Sequence, residues 1–175
     1  MSRPAGIVVW FTGLPQSGKT ALAARVRERL EASHGRCIVL DSDEVRDALA
    51  ADRYEAADRN DFYRRLATLA ALLARQGHVV LVPATAPGRA HRSIARAAAP
   101  HYIEVWVRTP LPECEARDQK GLYARARAGN APTLPGLGVP YEAPLAPDVT
   151  ADGGFDDAAA ATIERLVLCH ALVDA

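Results

Sequence analysis

The stretch GIVVWFTGLPQSGKTALAARV, residues 6–26, decides the fold. Gly6 to Phe11 is a β-branched and aromatic run without polar alternation, the pattern of a strand buried on both faces of a parallel sheet. Leu22, Val26 and Leu30 then recur every fourth residue and mark one apolar face of a helix. Arg25, Arg27 and Arg29 lie off that stripe, on a face expected to be solvated. Between strand and helix stands Gly13-Leu14-Pro15-Gln16-Ser17-Gly18-Lys19-Thr20, which satisfies the phosphate-loop pattern G-x-x-x-x-G-K-[ST]. Glycines let the backbone wrap a phosphate, the loop amides point inward, and the helix N-terminus adds its positive dipole end. Lys19 is then expected to reach the β- and γ-phosphates of a nucleoside triphosphate, and the Thr20 hydroxyl to ligate Mg²⁺.

Working outward, RCIVLDSDEV gives a second strand from Cys37 to Leu40 that ends in acidic residues. Asp41 falls at the carboxyl end of that strand, where open parallel sheets place their ligands. A carboxylate there can hold Mg²⁺ or accept a hydroxyl proton during transfer, while a helix N-cap is its purely structural use and fits Asp43 almost as well. Both are candidate metal ligands. From Asp58 to Gln76, Phe62, Leu66, Leu69 and Leu73 form a helical stripe that Gly77 stops. HVVLVPA is a third strand, followed by a turn and a short helix through about Ala99, and HYIEVWV is a fourth strand. Asp148 to Thr150 is a short fifth, before a closing amphipathic helix carrying Ile163, Leu166 and Val167. Strands alternating with helices predict an α/β fold, a doubly wound parallel sheet covered on both faces. Residues 129–147 carry five prolines and three glycines, which rules out regular structure there. Tyr141 and Leu137 favour packing, so this segment is expected to be an ordered lid.

The 175 residues suit a single domain spanning 1–175. Twenty-one basic and 21 acidic residues leave no net charge, so no global field draws the chain to nucleic acid or an anionic membrane. No apolar run approaches the ~18 residues of a bilayer span, and the N-terminus does not read as a secretory signal. Three scattered cysteines, Cys37, Cys114 and Cys169, predict reduced thiols in a cytoplasmic setting, and His170 beside Cys169 is read as incidental to the last helix. Only two of the basic residues are lysine, Lys19 and Lys120. Each falls in a motif.

Five ordered stretches resemble the adenylylsulfate kinase family, over about Gly6 to Pro147. Its W-x-T-G-L-S-G-S-G-K-[ST] appears as WFTGLPQSGKT, its L-D-G-D-N-x-R as LDSDEVR, and its D-R-x-x-N-x-R-R as DRNDFYRR, residues 58–65. Its E-V-x-V-x-T-P-L-x-x-C-E-x-R-D-x-K-G-L-Y appears as EVWVRTPLPECEARDQKGLY, and its lid signature G-I-x-x-P-Y-E-x-P as GLGVPYEAP. The resemblance implies a P-loop kinase fold, ATP and Mg²⁺ as cofactors, and transfer of a phosphoryl group to the 3′-hydroxyl of adenosine 5′-phosphosulfate. It further implies a homodimer. Lys19 and Asp41 would be catalytic. Arg46 and Arg59 would hold the acceptor's phosphosulfate end, with Lys120, Gly121 and Leu122 beside it. Tyr54 would stack on the acceptor's adenine, and Arg127 would lie near the donor nucleotide, on a lid of about 121–147.

The chain departs from the family pattern at several positions. Pro15 and Gln16 replace Ser and Gly in the phosphate loop, and Ser42 and Glu44 replace the Gly and Asn of D-G-D-N. Phe62 replaces the Asn of D-R-x-x-N, Ala86 a serine, and Leu134 the lid phenylalanine that would complete the adenine sandwich. With no serine at position 86, a phosphoenzyme there is excluded. A weakened acceptor pocket is therefore expected. Two other outcomes stay open: a kinase of the same fold acting on another nucleotide-linked or sugar hydroxyl, such as a cytidine-diphosphate conjugate, and a silent nucleotide-binding module.

Overall fold

β1, Ile7–Thr12, is buried along its whole length at the centre of a five-stranded parallel sheet. The computed structural model describes residues 6–33 and 35–173; residues 1–5, on which the reading against a secretory signal largely rests, lie outside the described residues. β2 is Ile38–Val39, β3 Val79–Pro83, β4 His101–Val107 and β5 Val149–Ala151, and the strand order is β2-β3-β1-β4-β5. The register pairs Ile7 with both Val79 and His101, so β1 is flanked by β3 and β4. With period-2 geometry, Ile7, Val9 and Phe11 point to one face and Val8 and Trp10 to the other. Helix α1, Lys19–Ser33, and the last helix α7, Asp157–Val173, close the first face. α3, Ala56–Arg75, and α4, Arg89–Ala98, close the second. The doubly wound arrangement follows from strands apolar on both sides.

Three short helices escape the sequence reading: α2, Ser42–Ala48, α5, Leu111–Ala116, and α6, Leu122–Arg127. β2 is two residues where four are expected, because only Ile38 and Val39 pair with β3. β5 is displaced by one residue. On α3, Phe62 and Leu66 are buried as expected, but Leu69 is exposed; Arg59, Tyr63, Ala67, Ala70, Ala71 and Ala74 complete the buried face. Small side chains let this helix lie close against α4 and the sheet. The α1 arginines are not merely solvated. Arg25 pairs with Asp157, and Arg29 Nε donates to Glu164 Oε2 at 2.7 Å, tying α1 to α7.

Residues 128–147 hold no helix or extended strand, only an isolated bridge between Pro135 and Val139. The segment is nonetheless packed. Leu134 is buried with Cys114 and Tyr123, against Leu14, Leu111, Leu122 and Leu137. Further on, Tyr141 Oη lies 3.0 Å from Thr12 Oγ1, and the Glu142 amide donates to Pro87 O at 2.8 Å. Arg89 Nε donates to Ala143 O at 2.8 Å and Arg92 Nη2 to Glu142 O at 2.7 Å. The expected lid thus has its own small apolar core and a second anchor on α4. The three cysteines are free. His170 stacks on His101 at 4.7 Å, and the described residues contain no group of three or more potential metal ligands. No helix among them is long and apolar enough to cross a membrane.

Candidate active site

The phosphate loop leaves β1 and enters α1 under tight steric constraint. A Cβ on Gly13 would lie 2.4 Å from Val107 O, and one on Gly18, whose φ is +101°, would lie 2.5 Å from Gly154 N. Only glycine fits such approaches. Gln16 occupies the left-handed region at φ +62°, a conformation that costs an L side chain about 1–2 kcal/mol. Within the loop Ser17 N donates to Leu14 O at 3.1 Å, and two contacts brace it from outside, Thr109 Oγ1 to Ser17 O at 2.7 Å and Tyr123 Oη to Pro15 O at 2.8 Å. Pro15 lacks an amide donor, yet its carbonyl serves as an anchor. Lys19 folds along the loop and donates to Leu14 O at 2.7 Å and Gly13 O at 3.2 Å. Burial pushes its ammonium down to about 8, against the pull of Cys114, Asp43 and Asp41.

Asp41 is shared between two elements. One carboxylate oxygen accepts the Asp43 amide at 2.9 Å and caps α2; the other accepts the Thr20 hydroxyl at 2.7 Å. The N-cap is therefore Asp41, not Asp43. Asp43 instead takes Lys120 Nζ at 2.6 Å, and that hydrogen bond raises the ammonium above its ordinary range. Lys19, Thr20, Asp41, Asp43, Lys120 and Leu122 all line one cleft of about 750 Å³, together with Pro15, Gln16 and Gly18. Arg117, Gln119, Thr85 and Phe155 line it too, and the sequence reading did not single them out. Arg117 was legible, three residues before Lys120 in the same motif, and Thr85 follows the end of β3, where parallel sheets put ligands. Phe155 follows Gly153-Gly154 after β5 and carried no signal.

Beside the cleft, α2 and α3 present Arg46, Arg59 and Phe62, and the segment between these helices presents Tyr54. Arg46 is 6% exposed; its Nη1 donates to Ala51 O at 3.0 Å and Arg53 O at 3.4 Å. Arg59 is 7% exposed and donates to Thr133 O on the lid. Burial lowers the Arg59 guanidinium, Tyr63 opposes this, and Arg46 lowers it further. Neither arginine forms an ion pair among the described residues. Tyr54, half exposed, lies over Arg46 and within electrostatic reach of both Arg59 and Lys120. Arg46 also borders a second cavity of about 360 Å³ with Phe62, Arg53 and Arg65. Arg127 lies outside both cavities. Exposed at the end of α6, it holds Glu115 at 2.6 Å.

A profile of the Adenylylsulphate kinase family matches residues 5–152. The chain belongs to that family. It is 44% identical over 170 residues to the bifunctional enzyme CysN/CysC of Mycobacterium tuberculosis, covering 93% of this chain but only 28% of that enzyme's length. It is 44% identical over 151 residues to the adenylyl-sulfate kinase of Paraburkholderia xenovorans, covering 85% and 84% of the two chains. Its fold matches the structure of the M. tuberculosis APS kinase CysC in complex with AMPPNP and APS with a TM-score of 0.84 at 44% identity, over 93% of this chain and 98% of that one.

Within the adenylylsulfate kinase frame, the departures acquire locations. Gln16 takes a left-handed conformation where the family pattern has glycine, and Ala86, buried at φ +41°, does so where it has serine. Leu134 is a core residue of the expected lid, buried with Cys114 and Tyr123. The residues present also fit the cofactors that the family implies. Thr20 Oγ1 and Asp41 Oδ2 are adjacent hard oxygen donors suited to Mg²⁺, and so sparse a protein ligand set matches an ion that keeps phosphate and water oxygens. The loop's glycines leave no room for side chains, and the buried Ser17 hydroxyl has no hydrogen-bond partner among the described residues.

Proposed function

We propose that this chain is an ATP-dependent kinase of adenosine 5′-phosphosulfate, acting as one domain with a lid over 121–147. The observation that supports the acceptor is the pair of buried arginines, Arg46 and Arg59, which donate to backbone carbonyls beside the phosphate-loop cleft and form no ion pair among the described residues. Buried cations without an ion-pair partner call for an anion. A phosphosulfate meets that need, with Lys120 and Leu122 on the cleft wall and Gly121, at φ +63°, turning the backbone between them.

The loop from Gly13 to Thr20 would hold the ATP phosphates through its amides, and Lys19 would neutralise charge that develops on the transferred group. Thr20, Asp41 and, at the cleft's edge, Asp43 would hold Mg²⁺, which when bound shields the phosphate oxygens. Asp41 faces the same cleft and would take the proton of the 3′-hydroxyl as its oxygen bonds to phosphorus and the bond to ADP breaks. Tyr54 would stack on the acceptor base. Arg127 would swing from Glu115 toward the donor when the lid closes. Free thiols support a reducing, cytoplasmic setting, and the family resemblance supports a homodimer. A kinase for another nucleotide-linked hydroxyl is the second reading, favoured by Phe62 where the family pattern has Asn.

Binding tests the acceptor assignment directly. With ADP present, Arg59→Ala should weaken adenosine 5′-phosphosulfate binding by about tenfold or more, the loss of a charge-assisted bond of roughly 1.5–3 kcal/mol. ADP affinity should hold. Equal acceptor affinity in the two proteins would count against the assignment.

A further inference from the structure

Phe62 has lost the hydrogen-bonding capacity of the residue its motif specifies, and the structure shows what it has gained. The ring is 3% exposed, and the Arg46 guanidinium carbon lies 3.7 Å from its centroid. At that distance the planar cation rests on the ring face, where the quadrupole is negative. Phe62 is itself backed: Tyr63 meets it edge-on at 5.4 Å and 68°, and Tyr63 stacks in turn on His91 at 4.9 Å. Arg46 is therefore clamped between a supported ring and two backbone carbonyls, those of Ala51 and Arg53. Tyr54 also lies over this guanidinium, at 4.6 Å, but it is 51% exposed and has no comparable backing.

We infer that Phe62 is a positioning residue: it holds the Arg46 fork in place for the acceptor's anionic group, replacing a direct polar contact with a pre-set one. This rests on the acceptor reading above. An arginine held in place loses little rotamer freedom when the anion arrives, which is where a flexible side chain forfeits affinity. An asparagine at position 62 cannot offer a π face. An aliphatic residue would fill the volume without attracting the cation.

A double-mutant cycle on the Michaelis constant for adenosine 5′-phosphosulfate separates this role from simple core packing. Phe62→Leu should raise that constant roughly five- to thirtyfold, the equivalent of about 1–2 kcal/mol for a desolvated cation–π contact at roughly 1.4 kcal/mol per decade. The constant for ATP should stay within about twofold. In an Arg46→Ala background, Phe62→Leu should change the acceptor constant by less than about twofold, because there is no guanidinium left to position. Phe62→Met serves if melting shows the leucine variant to be unfolded. The same factor in both backgrounds, or no change in the wild-type background, overturns the assignment. A wild-type protein that does not turn over this acceptor overturns the functional reading, and the positioning role falls with it.

Discussion

Lys19 is the residue whose surroundings yield the sharpest chemical consequence. Its ammonium titrates near 8 in the folded protein because it is buried, against ~10.4 for an exposed lysine. Between these values the unfolded chain binds the extra proton. This group's contribution therefore favours the fold increasingly as pH rises from about 8 to 10.5, and its burial cost is complete below 8. Function has the opposite trend. ATP is fully ionised throughout this window, so losing the Lys19 charge removes its partner. The ATP dissociation constant, measured by calorimetry from pH 7 to 10, should be flat to about 8 and then climb toward tenfold per pH unit. A flat curve to pH 10 would mean that Lys19 stays charged. Much at this scale was legible in the sequence, since Lys19, Thr20, Asp41 and Lys120 sit at fixed spacings and do line one cleft. Phe62 was not, because a motif shows that an asparagine is missing and cannot show what the new ring touches.

The proline- and glycine-rich segment 129–147 is the part of the chain whose sequence and structure are most instructive together. The proline and glycine content of 129–147 excludes helix and extended strand there, as observed, yet the order of this segment comes from contacts that composition cannot reveal. Leu134, read from the motif as a lost aromatic contact, anchors a small core with Cys114 and Tyr123. Gly138 is under the tightest constraint, since a Cβ there would lie 1.8 Å from Pro132 O. Gly138→Ala should displace this turn at a cost of about 1–3 kcal/mol, comparable to overpacking. Limited proteolysis would then cut within 128–139 at least several-fold faster than in wild type, and an unchanged cleavage rate would contradict the packed turn. The missed helices α2, α5 and α6 have six or seven residues each, too few for apolar periodicity to emerge. On α3 the leucine stripe misleads because alanines, common throughout this chain, carry half of the buried face.

Across the whole molecule, the sheet order places the phosphate loop after the central strand and puts Asp41, just beyond β2, and Thr85, just beyond β3, along one edge of the cleft. Alternation of strands and helices implied this layering, but not the order β2-β3-β1-β4-β5, which depends on pairings between distant segments. The ion pairs from Arg25 and Arg29 to α7 are likewise long-range and invisible to a periodicity count. The molecule thus combines a phosphate-loop cleft with two buried arginines that form no ion pair among the described residues. The most direct test of the kinase account is turnover: purified protein with Mg-ATP and, separately, adenosine 5′-phosphosulfate, a cytidine-diphosphate conjugate and free sugars, following ADP release and identifying the product by mass spectrometry. The account predicts ADP release with adenosine 5′-phosphosulfate and a product heavier by one phosphate on its ribose. Release only with another acceptor, or tight ATP binding with no release at all, would contradict it.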